Sequence, residues 1–437
     1  MYRIASEALL IWRDSKNRKP LIIKGARQVG KTWLMKEFSQ TNYKKTAYIN
    51  FENNDRMQNL FQMDFDIKRI ITGLQVESGI MIDQDTLIIF DEVQEVPNAL
   101  SSLKYFHEFS TEYPILAAGS ILGMSLHKGS SFPVGKVDFL DLHPLNFLEF
   151  LMATGNSGLV DLLNLGDYPL ISSFKSKYIE LLKQYYFVGG MPEAVMTFVQ
   201  TKDYSQVRVV QKNLLQSYQQ DFSKHAPSEI FPRIRMVWDS IPTQLSKENR
   251  KFIFGLVRQG ARAREFEMAL QWLQDSALIQ KVMRVSKPGI PLKAYQDYGA
   301  FKLFMVDVGL LAAMSDLDSI TLLQGNSIFE EFEGALTEQY VFQQLLSSNF
   351  GEPFYWSADR SIAEVDFLIQ IAGKVVPIEV KAAENLKSKS LISFYQQFKP
   401  EKSIRASMSD FRDEGWMINV PLYAINLHND ILKILRK

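Results

Sequence analysis

Cysteine is absent from the 437 residues. That excludes disulfides, thiolate-bound zinc and a cysteine nucleophile together. Histidine is nearly as scarce, with five in the chain (His107, His127, His143, His225 and His428), no two of them at a metal-ligand spacing. Any metal centre must therefore be built from carboxylates, which suit Mg²⁺ or Mn²⁺. An excess of either charge is missing too: 49 Lys and Arg balance 49 Asp and Glu. A chain-wide basic field for nucleic acid is thereby excluded, though a local patch is not. There is no uninterrupted apolar run of about 18 residues, and the opening MYRIASEALLIWRDSKNRK has no apolar core of signal-peptide length. These two absences predict a soluble, cytoplasmic chain with no membrane partner.

What is present is ordinary for a globular protein, at 46% hydrophobic and 22% charged residues. The length leaves room for two or three domains. Near the start, PLIIKGARQVGKTWLMKEF (residues 20–38) joins a short apolar strand to a helix through a glycine loop. Loop glycines let backbone N–H groups turn inward on phosphates, and the following helix adds the positive end of its dipole. Gly25, Ala26, Arg27, Gln28, Val29, Gly30, Lys31 and Thr32 form the expected cradle. Lys31 is placed to reach the β- and γ-phosphates, and the Thr32 hydroxyl to hold Mg²⁺.

A second apolar strand in DTLIIFDEVQ delivers Asp91 and Glu92 at its C-terminal end. An acid there can hold the magnesium shell, and the next can polarise an attacking water. The competing use of such acids is to cap the next helix. A third strand, PILAAGS, ends in Ser120, a candidate γ-phosphate sensor. No Asn-Lys-x-Asp guanine signature occurs, which favours ATP over GTP, and the acid pair favours water over a small-molecule acceptor.

GARQVGKT, IIFDEVQ, AAGS and the later DLHPLNFLEFL together resemble the AAA-type P-loop ATPases of bacteria and archaea whose C-terminal domain has no assigned function. YYFVGGMPEAV (Tyr186, Gly189, Gly190, Pro192) and FMVDVGL (Phe304, Asp307, Gly309, Leu310) match further segments of that family, so the likeness spans nearly the whole chain. Similar proteins carry Gly-Arg before the Pro-Leu segment, where this chain has Gly135-Lys136. Lys136 is thus a candidate charge-stabilising finger without the planar fork of arginine. Related ATPases include rings and monomers, so an oligomer stays open.

Residues 156–234 read as helical, and Pro227 and Pro232 mark a break. The next segment reads as three short helices, a strand in ALIQKVMRV, a turn at SKPGIP and a strand LKAYQ. That order suggests a winged helix-turn-helix, and the resembled family places one here. Lys247, Arg250, Lys251, Arg258, Arg262 and Arg264 make it locally basic. Its AREFEMALQWLQDSAL helix would approach a major groove, but Glu265, Glu267 and Asp275 on that helix would repel phosphate.

The last informative stretch, AEVDFLIQIAGKVVPIEVKAAENLK, reads as a hairpin turning at Ala372-Gly373-Lys374. Alternation puts Glu379 and Lys381 on one face, with Asp366 on the adjacent strand. Paired carboxylates there would hold a divalent cation, and a lysine beside them would orient water. The spacing resembles the restriction-endonuclease-like fold, whose additional helix acid is matched by Glu338; the proline that often opens the motif is replaced by Glu364-Val365. The bland alternative is a solvated face whose charges compensate.

The expected fold class is α/β. It comprises an N-terminal P-loop AAA-type parallel-sheet domain (1–155), a helical lid or linker (156–234), a winged-helix-like domain (235–320) and a C-terminal restriction-endonuclease-like α/β domain (321–437). Glu92, Lys31, Ser120 and Lys136 are the expected catalytic residues, with Thr32, Asp91, Asp366 and Glu379 on metal and Glu338, Asp366, Glu379 and Lys381 in the nuclease-like site. The expected function is a Mg-dependent ATPase that couples ATP or ADP state to a DNA-binding or DNA-cleaving domain. The rival is a slow nucleotide-gated switch whose C-terminal domain binds a partner without catalysis.

Overall fold

A computed structural model of the chain describes residues 1–119, 132–247, 250–324, 330–348, 350–358, 363–382 and 388–426. It forms two compact units: residues 2–143 with 275–278, and residues 144–274 with the described residues from 279 onward.

The first unit is built on five strands: β1 (Leu21–Lys24), β2 (Lys45–Asn50), β3 (Thr86–Asp91), β4 (Ile115–Ala118) and β5 (Asp138–Asp141). They lie in the order β2-β3-β4-β1-β5, and every pairing is parallel. Parallel neighbours need crossovers, and helices Ile67–Ser78 (β2 to β3) and Pro97–Phe109 (β3 to β4) supply them. Helices on the faces bury the sheet on both sides, which explains why β3 and β4 are buried along their whole length. Phe51, Phe61 and Phe90 meet edge to face, with centroids 5.2 to 5.9 Å apart. Each such contact adds about 0.5–1.5 kcal/mol beyond its buried area.

The second unit opens with helices and closes on a mixed sheet. Helix Lys175–Val188 buries Tyr178, Tyr185 and Tyr186. Strands β6 (Ile279–Val285), β7 (Gln296–Met305), β8 (Phe354–Ser357), β9 (Glu364–Ile371), β10 (Lys374–Val380), β11 (Ser403–Ser407), β12 (Arg412–Asp413) and β13 (Met417–Pro421) lie in the order β12-β13-β11-β10-β9-β8-β6-β7. Thus the α/β class holds, with a parallel sheet at the N-terminal end and a mixed one at the C-terminal end.

The LKAYQ stretch departs from expectation. Leu292–Tyr295 is a short 3-10 helix, and the strand begins at Gln296. β6 pairs with β7 antiparallel and with β8 in parallel, so this hairpin forms one end of the eight-stranded sheet. The reason is burial. Residues 300–305 (AFKLFM) are buried without interruption, and an exposed wing would leave half of them wet. β9 and β10 form the expected hairpin, turning through Ala372 and Gly373 at φ 49° and 77°, the positive pair that a tight two-residue turn demands.

The GGMP and VDVGL segments meet at one buried carboxylate. Asp307 accepts the Gly190 N–H at 2.6 Å, the Leu310 N–H at 3.0 Å and the Gln343 side-chain amide at 3.2 Å. Burial pushes its carboxyl up, and those donors pull it partly back. Helix Glu330–Ser347 presents buried amides toward the same region. Gln339 bonds both the N–H and the C=O of Met305, and Gln343 accepts the Val308 N–H.

Candidate functional site

The loop expected to cradle phosphate starts where β1 runs out. A Cβ on Gly25 would stand 2.2 Å from the Leu142 carbonyl oxygen, so only glycine lets the loop pass β5. Gly30 takes φ 94° at the start of helix Lys31–Asn42, in the left-handed region open to glycine. Gln28 also has a positive φ, 65°. Ala26 and Val29 are buried under the loop. Behind it Arg3 is buried and donates to the Val29 carbonyl at 2.9 Å.

Lys31 folds back over the cradle, and its Nζ donates to the carbonyls of Gly25 at 2.9 Å and Ala26 at 2.8 Å. Burial lowers its ammonium from 10.5 to about 8, against the partial support of Glu92 and Asp91. Facing it, Thr32 Oγ1 donates to Asp91 Oδ2 at 2.7 Å, and the Tyr48 hydroxyl donates to the same oxygen at 2.9 Å. Burial, with Asp91 adding to it, holds the Tyr48 phenol far above its usual range, so it stays a donor. Glu92 sits at φ 52° past the strand end, and Gln94 donates to its Oε2 at 2.6 Å.

A cavity of about 410 Å³ opens beside these groups. Arg27, Gln28, Gly30, Lys31, Thr32 and Glu92 line it, as do Trp33, Glu52 and Glu95, which the sequence reading missed. Trp33 and Glu95 adjoin the two motifs and were open to inspection. Tyr48 and Arg3 carry no motif: Tyr48 reaches Asp91 because β2 pairs with β3 (Tyr48 opposite Ile89). Lys136 pairs with Glu108 at 3.0 Å and is not among the cavity's lining residues. Ser120 lies outside the described residues.

The second cluster sits on the C-terminal sheet. Asp366 on β9 accepts the Val380 N–H of β10 at 2.8 Å, and Glu379 pairs with Lys381 at 3.0 Å. Burial pushes the Glu379 carboxyl up, although Lys381 opposes the shift. Glu338 is fully buried and ion-paired to Arg250 and to Lys302, the latter at 2.7 Å. Lys302 also contacts Glu364 at 2.6 Å and Asp366 at 3.6 Å. All four expected residues therefore lie in one unit, and Glu338 and Asp366 are linked through Lys302, with Arg250 and Glu364 beside it; Lys302 and Arg250 were not expected in this site. Lys302 had a signal, as the lone charge in the apolar run AFKLFM, where a buried ion pair is the usual reason. Among the described residues, no three or more His, Asp or Glu side chains are grouped to hold a metal ion.

The basic stretch around residue 250 is partly neutralised. Arg250 is committed to Glu338, and Arg258 pairs with Glu265 at 2.6 Å. Helix Ala263–Asp275 turns Phe266, Ala269, Leu270, Trp272 and Leu273 into the interior. Among the described residues, no helix is long and apolar enough to cross a membrane.

Residues 17–151 match the family model described as AAA domain. Residues 179–321 match Domain of unknown function (DUF8612), and residues 333–424 match Domain of unknown function (DUF4143). No match was found among curated proteins. Of solved structures, a Walker-type ATPase of Pyrococcus abyssi superposes with a TM-score of 0.44 at 14% identity, over 72% of this chain and 95% of that one. The Orc1 protein of Aeropyrum pernix, in complex with DNA, gives 0.26 at 12% identity over 73% and 92% of the two chains. Cdc6p of Pyrobaculum aerophilum gives 0.25 at 10% identity, over 73% and 92%. At these values the likeness carries no functional argument. The AAA match and the cradle make the first unit an AAA-type, nucleotide-binding P-loop domain.

Proposed function

We propose that the protein is a slow Mg-dependent ATPase whose nucleotide state governs what its C-terminal unit binds. The observation that carries this reading is the 2.7 Å hydrogen bond from Thr32, which lines the cavity next to Lys31, to the buried Asp91. A hydroxyl and a carboxylate this close form an oxygen-only pair that fits Mg²⁺. Magnesium held there would neutralise charge on the β- and γ-phosphates. Lys31 would leave the Gly25 and Ala26 carbonyls for the phosphates, the cradle N–H groups would orient them, and Tyr48 would hold Asp91 in place. Glu92 is the candidate base for the attacking water, and Gln94 fixes its orientation.

Slow turnover is favoured by the state of Lys136. Its ammonium is paired with Glu108, and a finger must be free to meet transition-state charge. In this reading ATP and ADP are alternating ligands.

The test is Glu92→Gln. Binding of ATP should stay within about twofold, while turnover falls by about 10² or more, the usual contribution of a positioned base. A normal rate would remove Glu92 from the reaction, and lost binding would make it a structural residue.

A second reading, in which the C-terminal unit cuts DNA, is favoured by the convergence of Asp366, Glu379 and Lys381 on one end of β9 and β10. Plasmid nicked by wild type with Mg²⁺, but not by Asp366→Ala, would establish it over the first.

A further inference from the structure

The C-terminal carboxylates already hold a cation. Lys302 and Glu338 have wholly buried side chains, and the Lys302 Nζ is surrounded by Glu338 at 2.7 Å, Glu364 at 2.6 Å and Asp366 at 3.6 Å. The ring of Tyr355, itself buried, closes another side with its centroid 5.2 Å from that nitrogen. Three acids and an aromatic face suit an ammonium group, since the ring quadrupole attracts it while offering a metal no oxygen. Magnesium or manganese would demand oxygens all round and room for water.

Arg250 adds a second, largely buried cation, which leaves the cluster one acid in excess. It pairs with Glu338, and the helix makes way for it at Gly334, where a Cβ would fall 2.8 Å from the guanidinium. The cluster thus sets Glu338, Glu364, Asp366 and Glu379 against Arg250, Lys302 and Lys381. Asp366 is committed as well, one oxygen to the Val380 N–H and the other toward Lys302. An incoming divalent ion would have to expel a buried ammonium and leave that charge unpaired, which is costly in a low dielectric.

We propose that Lys302 is the resident cation of this cluster and occupies the place a divalent metal takes in nuclease-like sites, so that the C-terminal unit is assembled and works without metal. This goes beyond the nucleotide reading, does not rest on it, and opposes the Mg²⁺-dependent cleavage of the second reading.

The experiment is a Mn²⁺ titration of the full chain without nucleotide, with free Mn²⁺ read by electron paramagnetic resonance. Wild type and Asp366→Asn should bind equal amounts. Lys302→Met keeps an unbranched chain one atom shorter and removes its charge. It should gain one Mn²⁺ per chain, and the double variant Lys302→Met/Asp366→Asn should lose it again. Two results overturn the proposal: wild type binding an ion that Asp366→Asn loses, or folded Lys302→Met gaining none. If Lys302→Met does not fold, the comparison of wild type with Asp366→Asn decides alone, equality upholding the proposal and a difference overturning it. Because no nucleotide is present, none of these outcomes bears on the cradle.

Discussion

Replacing Lys31 with alanine is expected to lower kcat/KM for ATP by about 10³ or more, the scale of losing a charged donor aimed at a developing anion. The side chain is buried, and its present partners are two carbonyls of its own loop. Those bonds are lost with little consequence, because the loop is also held by Arg3 and by the glycine contacts. What cannot be replaced is a positive charge inside a cradle of N–H groups. A steady-state ATPase assay with calorimetric ATP titration checks this, and retained turnover would refute the assignment of Lys31.

The same lysine makes binding pH-dependent. Its unliganded ammonium is lowered to about 8, so roughly half the molecules lack the charge at pH 8. A phosphate beside it restores the charged form. ATP binding at pH 8–9 should therefore take up protons, and affinity should fall as pH rises through 8. Stability of the unliganded protein moves the other way. The folded state gives up this proton near pH 8 and the unfolded chain keeps it to about 10.5, so stability rises with pH across that window, and the full penalty stands below it. Titration in two buffers of different ionisation heat measures the uptake. Lys31→Arg should abolish it, because a guanidinium stays charged throughout.

Gly190→Ala should be the most damaging methyl group in the second unit. The new Cβ would lie 2.0 Å from the Leu145 carbonyl oxygen, a backbone atom that cannot swing away. Moving it breaks the Leu145 N–H bond to Gly190, at 2.7 Å, and pulls Gly190 from Asp307, at 2.6 Å. Overpacking costs about 1–3 kcal/mol, and a buried donor left unmade costs about 1–3 kcal/mol more. Thermal melting should show the transition that is insensitive to nucleotide falling by about ten degrees. A shift of only a degree or two would mean the loop has slack that these contacts do not suggest. The VGGMP and VDVGL segments are thus explained as one joint, with glycines where backbones touch and an aspartate tying them together.

Local order in the chain was enough for the cradle. A strand, a glycine loop, a lysine and a helix are consecutive, so the candidate phosphate site could be proposed without knowing any long-range contact. Asp91 and Glu92 were readable for a similar reason, because a buried parallel strand shows as a continuous apolar run with its acids at the end. The β9–β10 hairpin followed from alternation and a two-residue turn.

Other features depend on residues far apart in the chain. Tyr48 bonds Asp91 only because β2 lies beside β3, and Arg3 reaches Val29 through a fold its own neighbours do not announce. The stretch expected as a wing joined the large sheet because its apolar half needed burial on both faces. Above all, the charge state of the C-terminal cluster was decided in three dimensions. Asp366, Glu379 and Lys381 read alone suggest a vacancy for metal, whereas Lys302 arrives from β7 and Arg250 from the chain before it, filling that place with ammonium and guanidinium. Sequence alone determined which groups could hold a phosphate, because those groups are contiguous. Only the tertiary structure decided which carboxylates were already neutralised, because the cations that neutralise them come from distant segments.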